Sequence, residues 1–126
     1  AILLNSQGLV SECSGDNIFF ISGDKIMTPP IHAGILIGIT REVVMELVRE
    51  KLKMRMTETD FSTYDLYRAD EVFLTGTGAE VIPVVKIDGR VIGSGVAGPV
   101  TKKITALFRE HARSTGTSIY EEAKVK

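Results

Sequence analysis

The sequence predicts an α/β fold in which a mixed, strongly curved sheet carries helices on its outside. The spacing of apolar residues switches repeatedly between the two-residue repeat of strands and the three- and four-residue steps of helices, and turn residues separate these switches. Length and composition agree, since 126 residues with 44% apolar and 25% charged residues suit one globular domain. Neither an internal repeat nor a linker divides the chain.

Strand-like runs fill the first part of the chain and return in its second half. The segments Ser22-Gly23-Asp24 and Asp88-Gly89 have hairpin chemistry, because glycine tolerates positive φ. Pro29-Pro30 ends the fourth run, since proline cannot donate to a sheet ladder. The predicted strands are residues 2–4, 8–11, 17–22, 25–28, 54–59, 71–75, 81–87 and 90–92.

Three segments are predicted as helices. The pattern becomes helical at Thr40, from where apolar residues recur at three- and four-residue steps as far as Leu52. Residues 62–68 predict a short helix, and Pro99 opens the last helix at a favoured first-turn position. We assign residues 1–113 to the folded domain and residues 114–126 to a polar C-terminal tail.

Composition argues against several classes of partner. A net charge of −1, with basic residues scattered along the chain, gives no footprint for nucleic acid. The longest apolar stretch falls short of the roughly 20 residues that cross a bilayer, so we expect no membrane association. Cys13 is the only cysteine, which suits a reducing cytoplasm. His32 and His111 match no metal spacing, and neither is placed to activate a nucleophile.

The first residues read as a strand already in progress, without an initiator methionine. We therefore expect the chain to be a fragment of a longer protein.

Gly38-Ile39-Thr40 is the first of three candidate sites. The first amides of a helix have no intrahelical partner and carry the positive end of its dipole, so they bind anions, phosphate above all. Gly38 would let an anion approach the backbone, and Thr40 would add a hydroxyl. The alternative is that Thr40 simply caps the helix.

The other two candidates are a glycine-containing turn and a lone acid. Thr75-Gly76-Thr77-Gly78-Ala79 follows an apolar strand and could present consecutive amides as an anion-binding nest, although a turn without a ligand would look similar. Glu12, just past a predicted strand, could accept a proton from a heteroaromatic nitrogen. A solvated surface glutamate is the alternative for this residue.

Read together, these segments resemble the signature of the fold-type IV, pyridoxal-phosphate-dependent aminotransferases. The resemblance lies in Glu12-x-Ser14-x-x-Asn17-Ile18-Phe19, Ile26-x-Thr28 and Leu36-x-Gly38-Ile39-x-Arg41, which follow in the expected order and spacing. Residues 69–77 and 98–102 are similar to the branched-chain amino-acid aminotransferase branch. The resemblance covers about residues 1–113 and implies the family's C-terminal, cofactor-binding domain, whose sheet forms a pseudo-barrel.

The resemblance also implies residue roles toward pyridoxal 5'-phosphate. Glu12 would face the pyridine nitrogen and keep it protonated, and Leu36 would pack against a face of the ring. Gly38, Ile39 and Thr40 would hold the phosphate together with the Thr77 hydroxyl. Turn amides of Thr77, Gly78 and Ala79 would receive the substrate α-carboxylate. Gly78 stands where many relatives carry alanine.

The family's Schiff-base lysine lies further upstream of the glutamate than the residues that precede Glu12 here. Six lysines of the chain do not sit in its context, namely Lys25, Lys51, Lys53, Lys86, Lys102 and Lys103. The resemblance therefore implies a transaminase that acts on an amino acid and a 2-oxo acid as the full-length protein, with a missing N-terminal domain and a homo-oligomeric assembly. We expect this chain alone to be inactive.

Other functions remain open. A D-amino-acid aminotransferase or an aminodeoxychorismate lyase would share Glu12, Thr40 and Thr77. Residues 98–102 and the Asp88-Gly89-Arg90 hairpin favour the branched-chain enzyme, which transfers the amino group of Leu, Ile or Val to 2-oxoglutarate. In a different class, the chain could be a non-catalytic module that binds a small anion.

Overall fold

The structure is a computed structural model that describes residues 1–115 of the chain. Within them the chain forms short strands, three α-helices, a 3₁₀ turn at Ile31–Ala33 and a π-helical turn at Val48–Leu52. The strands are β1 (Ile2–Leu4), β2 (Val10–Cys13), β3 (Asn17–Ser22), β4 (Lys25–Thr28), β5 (Arg55–Glu58), β6 (Glu71–Gly76), β7 (Glu80–Val84), β8 (Lys86–Ile87) and β9 (Arg90–Val91). The helices are α1 (Ile39–Leu47), α2 (Thr63–Tyr67) and α3 (Pro99–Thr115).

A five-stranded sheet in the order β5-β4-β3-β6-β7 forms the centre. Strands β4 and β5 are parallel, and the other neighbours are antiparallel, so the predicted mixed sheet is confirmed. The hairpins β1–β2 and β8–β9 form separate two-stranded ladders. Over residues 1–115 these ladders do not close into the expected pseudo-barrel.

The connection from β4 to β5 places α1 relative to the sheet. Parallel neighbours need a crossover, and residues 29–54, which include α1, supply it. The chain leaves the end of β4 and soon enters α1, so this helix begins near the carboxyl ends of both parallel strands. Because β3 runs antiparallel to β4, and β6 antiparallel to β3, the start of β3 and the end of β6 lie at the same end of the sheet.

The two faces of the sheet pack against different layers. Ile18 and Phe20 lie in a core with residues of β2, α2 and the segment after β9, while Phe19 and Ile21 lie in a core with α1 and α3. This is the alternation expected of a strand that is buried on both faces. Phe19 stacks on Phe73 of β6 with ring centroids 4.9 Å apart. The site-bearing end of the sheet is thereby fixed against the helix layer.

Several predicted boundaries were wrong. The second strand runs from Val10 to Cys13 rather than over residues 8–11, so Glu12 lies inside a strand and pairs with Leu3. The strand predicted over residues 81–87 breaks at Val85, whose carbonyl accepts a hydrogen bond from the Ile92 amide and so belongs to the β8–β9 hairpin. The first long helix begins at Ile39, one residue before Thr40.

The last helix reaches Thr115, so it extends into the predicted tail 114–126. Residues 116–126 of that tail lie outside the described residues, and the division at residue 113 stays a prediction. None of the helices within residues 1–115 combines the length and the apolar character that a membrane span requires.

Candidate functional site

A cleft of about 230 Å³ opens at the end of the sheet where β3 begins and β6 ends. Five pieces of the chain meet there: strand β2, the turn before β3 together with the first residue of β3, the segment that leads into α1, the first residues of α1, and the end of β6. Its lining residues are Glu12, Gly15, Asp16, Asn17, Leu36, Gly38, Ile39, Thr40, Thr75, Gly76 and Thr77.

Six of the eight site residues predicted from the sequence line this one cleft, namely Glu12, Leu36, Gly38, Ile39, Thr40 and Thr77. The other two, Gly78 and Ala79, are not among its lining residues. They continue from Thr77 as the loop of the β6–β7 hairpin, which the Gly76–Glu80 pair closes. The three segments that the sequence analysis singled out thus lie together, although they are far apart along the chain.

The start of α1 lines this cleft with Gly38, Ile39 and Thr40. Gly38 is the N-cap residue, and no side chain of residues 1–115 caps the helix there. Thr40 is the second helical residue, so the alternative that Thr40 caps the helix is wrong. The carbonyl of Gly38 accepts the first helical hydrogen bond, from Glu42 N–H at 3.2 Å. The amides of Ile39 and Thr40 therefore remain the positive end of a helix of nine residues.

Glu12 and Leu36 are joined by a direct hydrogen bond. The amide of Leu36 donates to Oε1 of Glu12 at 2.7 Å, so this carboxylate is not simply solvated. The bond holds the segment before α1 against β2, with the Leu36 side chain 78% exposed beside the acid. An acid and an apolar wall thus adjoin the helix start.

The end of β6 approaches the turn before β3 closely. A Cβ on Gly76 would collide with Oδ1 of Asp16, so only glycine permits this approach. The hydroxyl of Thr75 is buried at the same end of the strand and has no hydrogen-bond partner within the described residues. Gly78 differs from Gly76, because a Cβ there would meet open space and alanine would fit.

Two motif residues lie away from the cleft. The Thr28 hydroxyl donates to the Ile18 carbonyl at 2.8 Å inside the core. Arg41 is 1% exposed and donates to Oε1 of Glu58 at 2.6 Å and to the Pro29 carbonyl at 3.2 Å. It therefore ties the first turn of α1 to the ends of β4 and β5. Both residues support the site without lining it.

Five lining residues were given no role toward the cofactor by the sequence analysis, namely Gly15, Asp16, Asn17, Thr75 and Gly76, although Thr75 and Gly76 belong to the turn that it singled out. Their turn chemistry was visible, but the contact between Asp16 and Gly76 joins residues sixty positions apart, and only the pairing of β3 with β6 brings them together. Cys13 beside Glu12 is inert by comparison, because burial raises the pKa of its thiol above the ordinary 9.0. No cluster of metal-binding side chains occurs among residues 1–115.

The donor set fits a phosphorylated aromatic ring. Unpaired helix amides and the hydroxyls of Thr40 and Thr77 suit a phosphate, an apolar side chain suits a ring face, and the carboxylate of Glu12 suits a protonated ring nitrogen. At Gly38 and Gly76 an added Cβ would collide with Oδ1 of Asn17 and of Asp16, respectively, so glycine permits the close packing of these segments around the cleft.

Comparisons with known proteins agree with this chemistry. The family model for amino-transferase class IV matches residues 1–87. An Aquifex aeolicus protein named "Probable branched-chain-amino-acid aminotransferase" is 52% identical over 108 residues, which is 86% of this chain and 35% of that protein. The Escherichia coli branched-chain-amino-acid aminotransferase is 42% identical over 107 residues, which is 85% of this chain and 34% of the enzyme.

Solved structures give the same result. The branched-chain amino acid aminotransferase of Thermobaculum terrenum in its PLP-form superposes with a TM-score of 0.85 at 40% identity and covers 87% of this chain and 36% of that one. The branched-chain aminotransferase of Thermoproteus uzoniensis with norvaline gives a TM-score of 0.82 at 44% identity, over 87% of this chain and 36% of that one. The chain spans less than half the length of these relatives.

Proposed function

The chain belongs to the class IV aminotransferases, and from that premise we propose that it is the cofactor-binding part of a branched-chain amino-acid aminotransferase. The whole protein would transfer the amino group of leucine, isoleucine or valine to 2-oxoglutarate through pyridoxal 5'-phosphate. The observation that carries the proposal is the single cleft in which Glu12, the start of α1 and Thr77 meet. The names of the relatives support the choice of substrate.

The phosphate end of the cofactor would be held at the start of α1. The amides of Ile39 and Thr40 and the Thr40 hydroxyl donate there, and Thr77 adds a hydroxyl from the end of β6. No carboxylate of the described residues caps this helix, so its dipole is available to an external anion. Arg41 holds the first turn of α1 in place by its hydrogen bond to Glu58 at the end of β5.

Glu12 would serve the opposite end of the ring. When bound, the protonated pyridine ring supplies an electron sink for the substrate Cα. Glu12 keeps the proton on the ring nitrogen, because its negative charge favours the charged form of that nitrogen. Its hydrogen bond to the Leu36 amide fixes the carboxylate, and the exposed Leu36 side chain would cover one ring face.

The β6–β7 loop would receive the substrate α-carboxylate. The loop Thr77–Ala79 is closed by the Gly76–Glu80 pair, and Glu80 adopts a left-handed backbone with φ 59°. Such tight loops turn successive amides toward one point, which suits an anion. Open space around Gly78 keeps this side of the loop free of side-chain obstruction.

The remaining chemistry would come from the rest of the protein. We assign the covalent attachment of the cofactor, and the proton shuttle at the substrate Cα, to a lysine upstream of this chain. An N-terminal domain and a homo-oligomeric assembly in the cytoplasm complete the proposal.

The test is an assay of the whole protein with pyridoxal phosphate and 2-oxoglutarate, comparing L-leucine, L-isoleucine and L-valine with D-alanine. We expect turnover of the branched L-amino acids. Preference for D-alanine would assign the D-amino-acid branch instead, and no transfer from any of them would overturn the proposal.

Glu12→Gln separates an enzyme from a module that merely binds anions. Glutamine can still accept the Leu36 amide, so the substitution removes charge rather than structure. We expect activity to fall roughly 100-fold, the usual cost of losing one charge-stabilising group. The matched control is Glu46→Gln on the exposed face of α1. Equal binding of pyridoxal phosphate by the wild type and the Glu12→Gln protein, with no transamination by either, would favour the module, and full activity of the Glu12→Gln protein would contradict the role given to Glu12.

A further inference from the structure

Asn17 is a buried amide in the cleft to which the proposed function gives no role. It is the first residue of β3, is 6% exposed, and pairs with Thr75 of β6. Because side chains alternate along a strand, Asn17 lies on the same face as Phe19 and Ile21, which pack on the helix layer. Its amide therefore projects toward the place where α1 begins.

The two ends of this amide contact one segment at two points. Nδ2 donates to the Leu36 carbonyl at 2.9 Å. Oδ1 lies against Gly38, so closely that an added Cβ would be 2.5 Å from it. One side chain thus spans the segment from the ring-facing leucine to the N-cap of α1.

This contact explains why residue 38 is glycine. Its backbone has φ −80° and ψ 144°, a conformation open to any residue, so no positive φ demands glycine here. What excludes a larger residue is the amide of Asn17.

Leu36 is consequently held through both of its backbone groups. Its amide donates to Glu12 of β2, and its carbonyl accepts from Asn17 of β3. The acid, the ring-facing leucine and the start of α1 are therefore connected through two adjacent side chains rather than through solvent.

We propose that Asn17 is a positioning residue that fixes the ring-binding end of the cleft relative to the phosphate-binding end. The inference rests on the proposed function, because only a ligand with both a ring and a phosphate needs the two ends in register. A ligand that uses one end alone gains little from Asn17. Loss of the amide should therefore reduce the advantage that pyridoxal phosphate has over its separate parts.

The experiment measures dissociation constants of the whole protein for three probes: pyridoxal phosphate, pyridoxal and inorganic phosphate. Asn17→Ala should raise the dissociation constant for pyridoxal phosphate about tenfold, which is the effect of one lost hydrogen bond. It should raise the dissociation constants for pyridoxal and for inorganic phosphate by about twofold or less. Asn5→Ala is the matched control, since Asn5 Nδ2 donates to the Ala33 carbonyl of the same segment at 3.3 Å but does not line the cleft. It should leave all three constants within about twofold of the wild type.

Gly38→Ala provides a second approach in case Asn17→Ala does not fold. The new methyl group would displace the Asn17 amide without deleting it, so it should give the same selective loss for pyridoxal phosphate. In the Asn17→Ala background the methyl group has room, and Gly38→Ala should then add no further loss.

The outcomes separate the inference from the proposed function. If the wild type binds no pyridoxal phosphate, the proposed function fails. If the wild type binds it and both variants retain that affinity, the positioning role is wrong and the function stands. An equal loss for all three probes, with a lowered melting temperature, would indicate a purely structural residue and would also overturn the inference.

Discussion

Helices α1 and α3 begin in the same way, but only the amides at the start of α3 have a side-chain acceptor among the described residues. Each starts after a glycine whose carbonyl accepts the first helical bond, Gly38 in one case and Gly98 in the other. At each glycine an added Cβ would collide with a polar side chain, Asn17 at α1 and Glu71 at α3. Glu71, however, accepts the amides of Val100 at 3.2 Å and Thr101 at 2.8 Å, whereas Asn17 binds the Leu36 carbonyl instead.

The difference shows how a general property of helices becomes a site. Every helix start attracts anions, and at α3 the chain supplies its own buried carboxylate. At α1 the neighbouring side chain is an amide that bonds elsewhere, so the helix amides are left for an external ligand. If α1 binds the phosphate as proposed, a structural helix start and a binding helix start differ by the type of one neighbouring side chain.

The largest effect on stability is expected from removing the carboxylate that caps the start of α3. Glu71→Ala leaves the buried Thr101 amide and the partly buried Val100 amide without acceptors, and we expect the free energy of unfolding to fall by about 3 kcal/mol. Urea unfolding of the whole protein measures it.

Glu71→Gln should give an intermediate loss, because it keeps one acceptor. Glu46→Ala, at an exposed position of α1, should change the free energy by less than about 0.5 kcal/mol. If Glu71→Ala weakens pyridoxal phosphate binding without lowering stability, the start of α3 is not the structural counterpart of a ligand-binding start at α1.

A smaller effect, on binding alone, is expected at α1. Thr40→Val removes a hydroxyl from the cleft. It should weaken the binding of inorganic phosphate and of pyridoxal phosphate about tenfold, with little change in stability. Thr101→Val is its counterpart on α3, where the hydroxyl is buried without a partner among the described residues. Removing that hydroxyl should leave affinity unchanged and stability equal or slightly higher. Equal losses of affinity in both variants would contradict the assignment.

The smallest effect concerns a region remote from both helix starts. The Tyr67 hydroxyl donates to Asp88 Oδ2 at 2.6 Å, and this hydrogen bond raises the pKa of Tyr67 above the ordinary 10.0. The folded state therefore holds the proton more tightly than the unfolded state, and the stabilisation is present below pH 10.0 and lost as the pH rises through the folded pKa.

The wild type should thus lose melting temperature more steeply above pH 10.0 than Tyr67→Phe does, with the same cofactor affinity in both. Identical pH profiles would mean that the hydrogen bond contributes nothing to the β8–β9 hairpin.

Local chemistry made part of the fold predictable. Asp88-Gly89 gave a hairpin with both residues at positive φ, and Pro99 opened α3 as expected. The boundary of β2 was missed because its register is set by pairing with β1, and Val85 left the sheet for a partner that periodicity does not reveal.

The site followed the same division. The family resemblance was enough to propose Glu12, Leu36 and the start of α1, because the motifs that carry it are short segments of the sequence. Asp16 against Gly76 and Glu71 against Gly98 were not visible, since these contacts depend on how distant strands and helices pack. The question whether Thr40 caps its helix was settled by the extended backbone of Gly38, which makes Gly38 the N-cap residue. Backbone conformation at a single residue cannot be read from the sequence.

The most direct test of the central claim follows the backbone amide resonances of the whole ¹⁵N-labelled protein during titration with pyridoxal phosphate. We predict that the amides of Ile39 and Thr40 shift on binding, while those of Val100 and Thr101, already bonded to Glu71, stay in place. Binding of the cofactor with unmoved Ile39 and Thr40 amides, or with shifts at Val100 and Thr101 instead, would contradict the account.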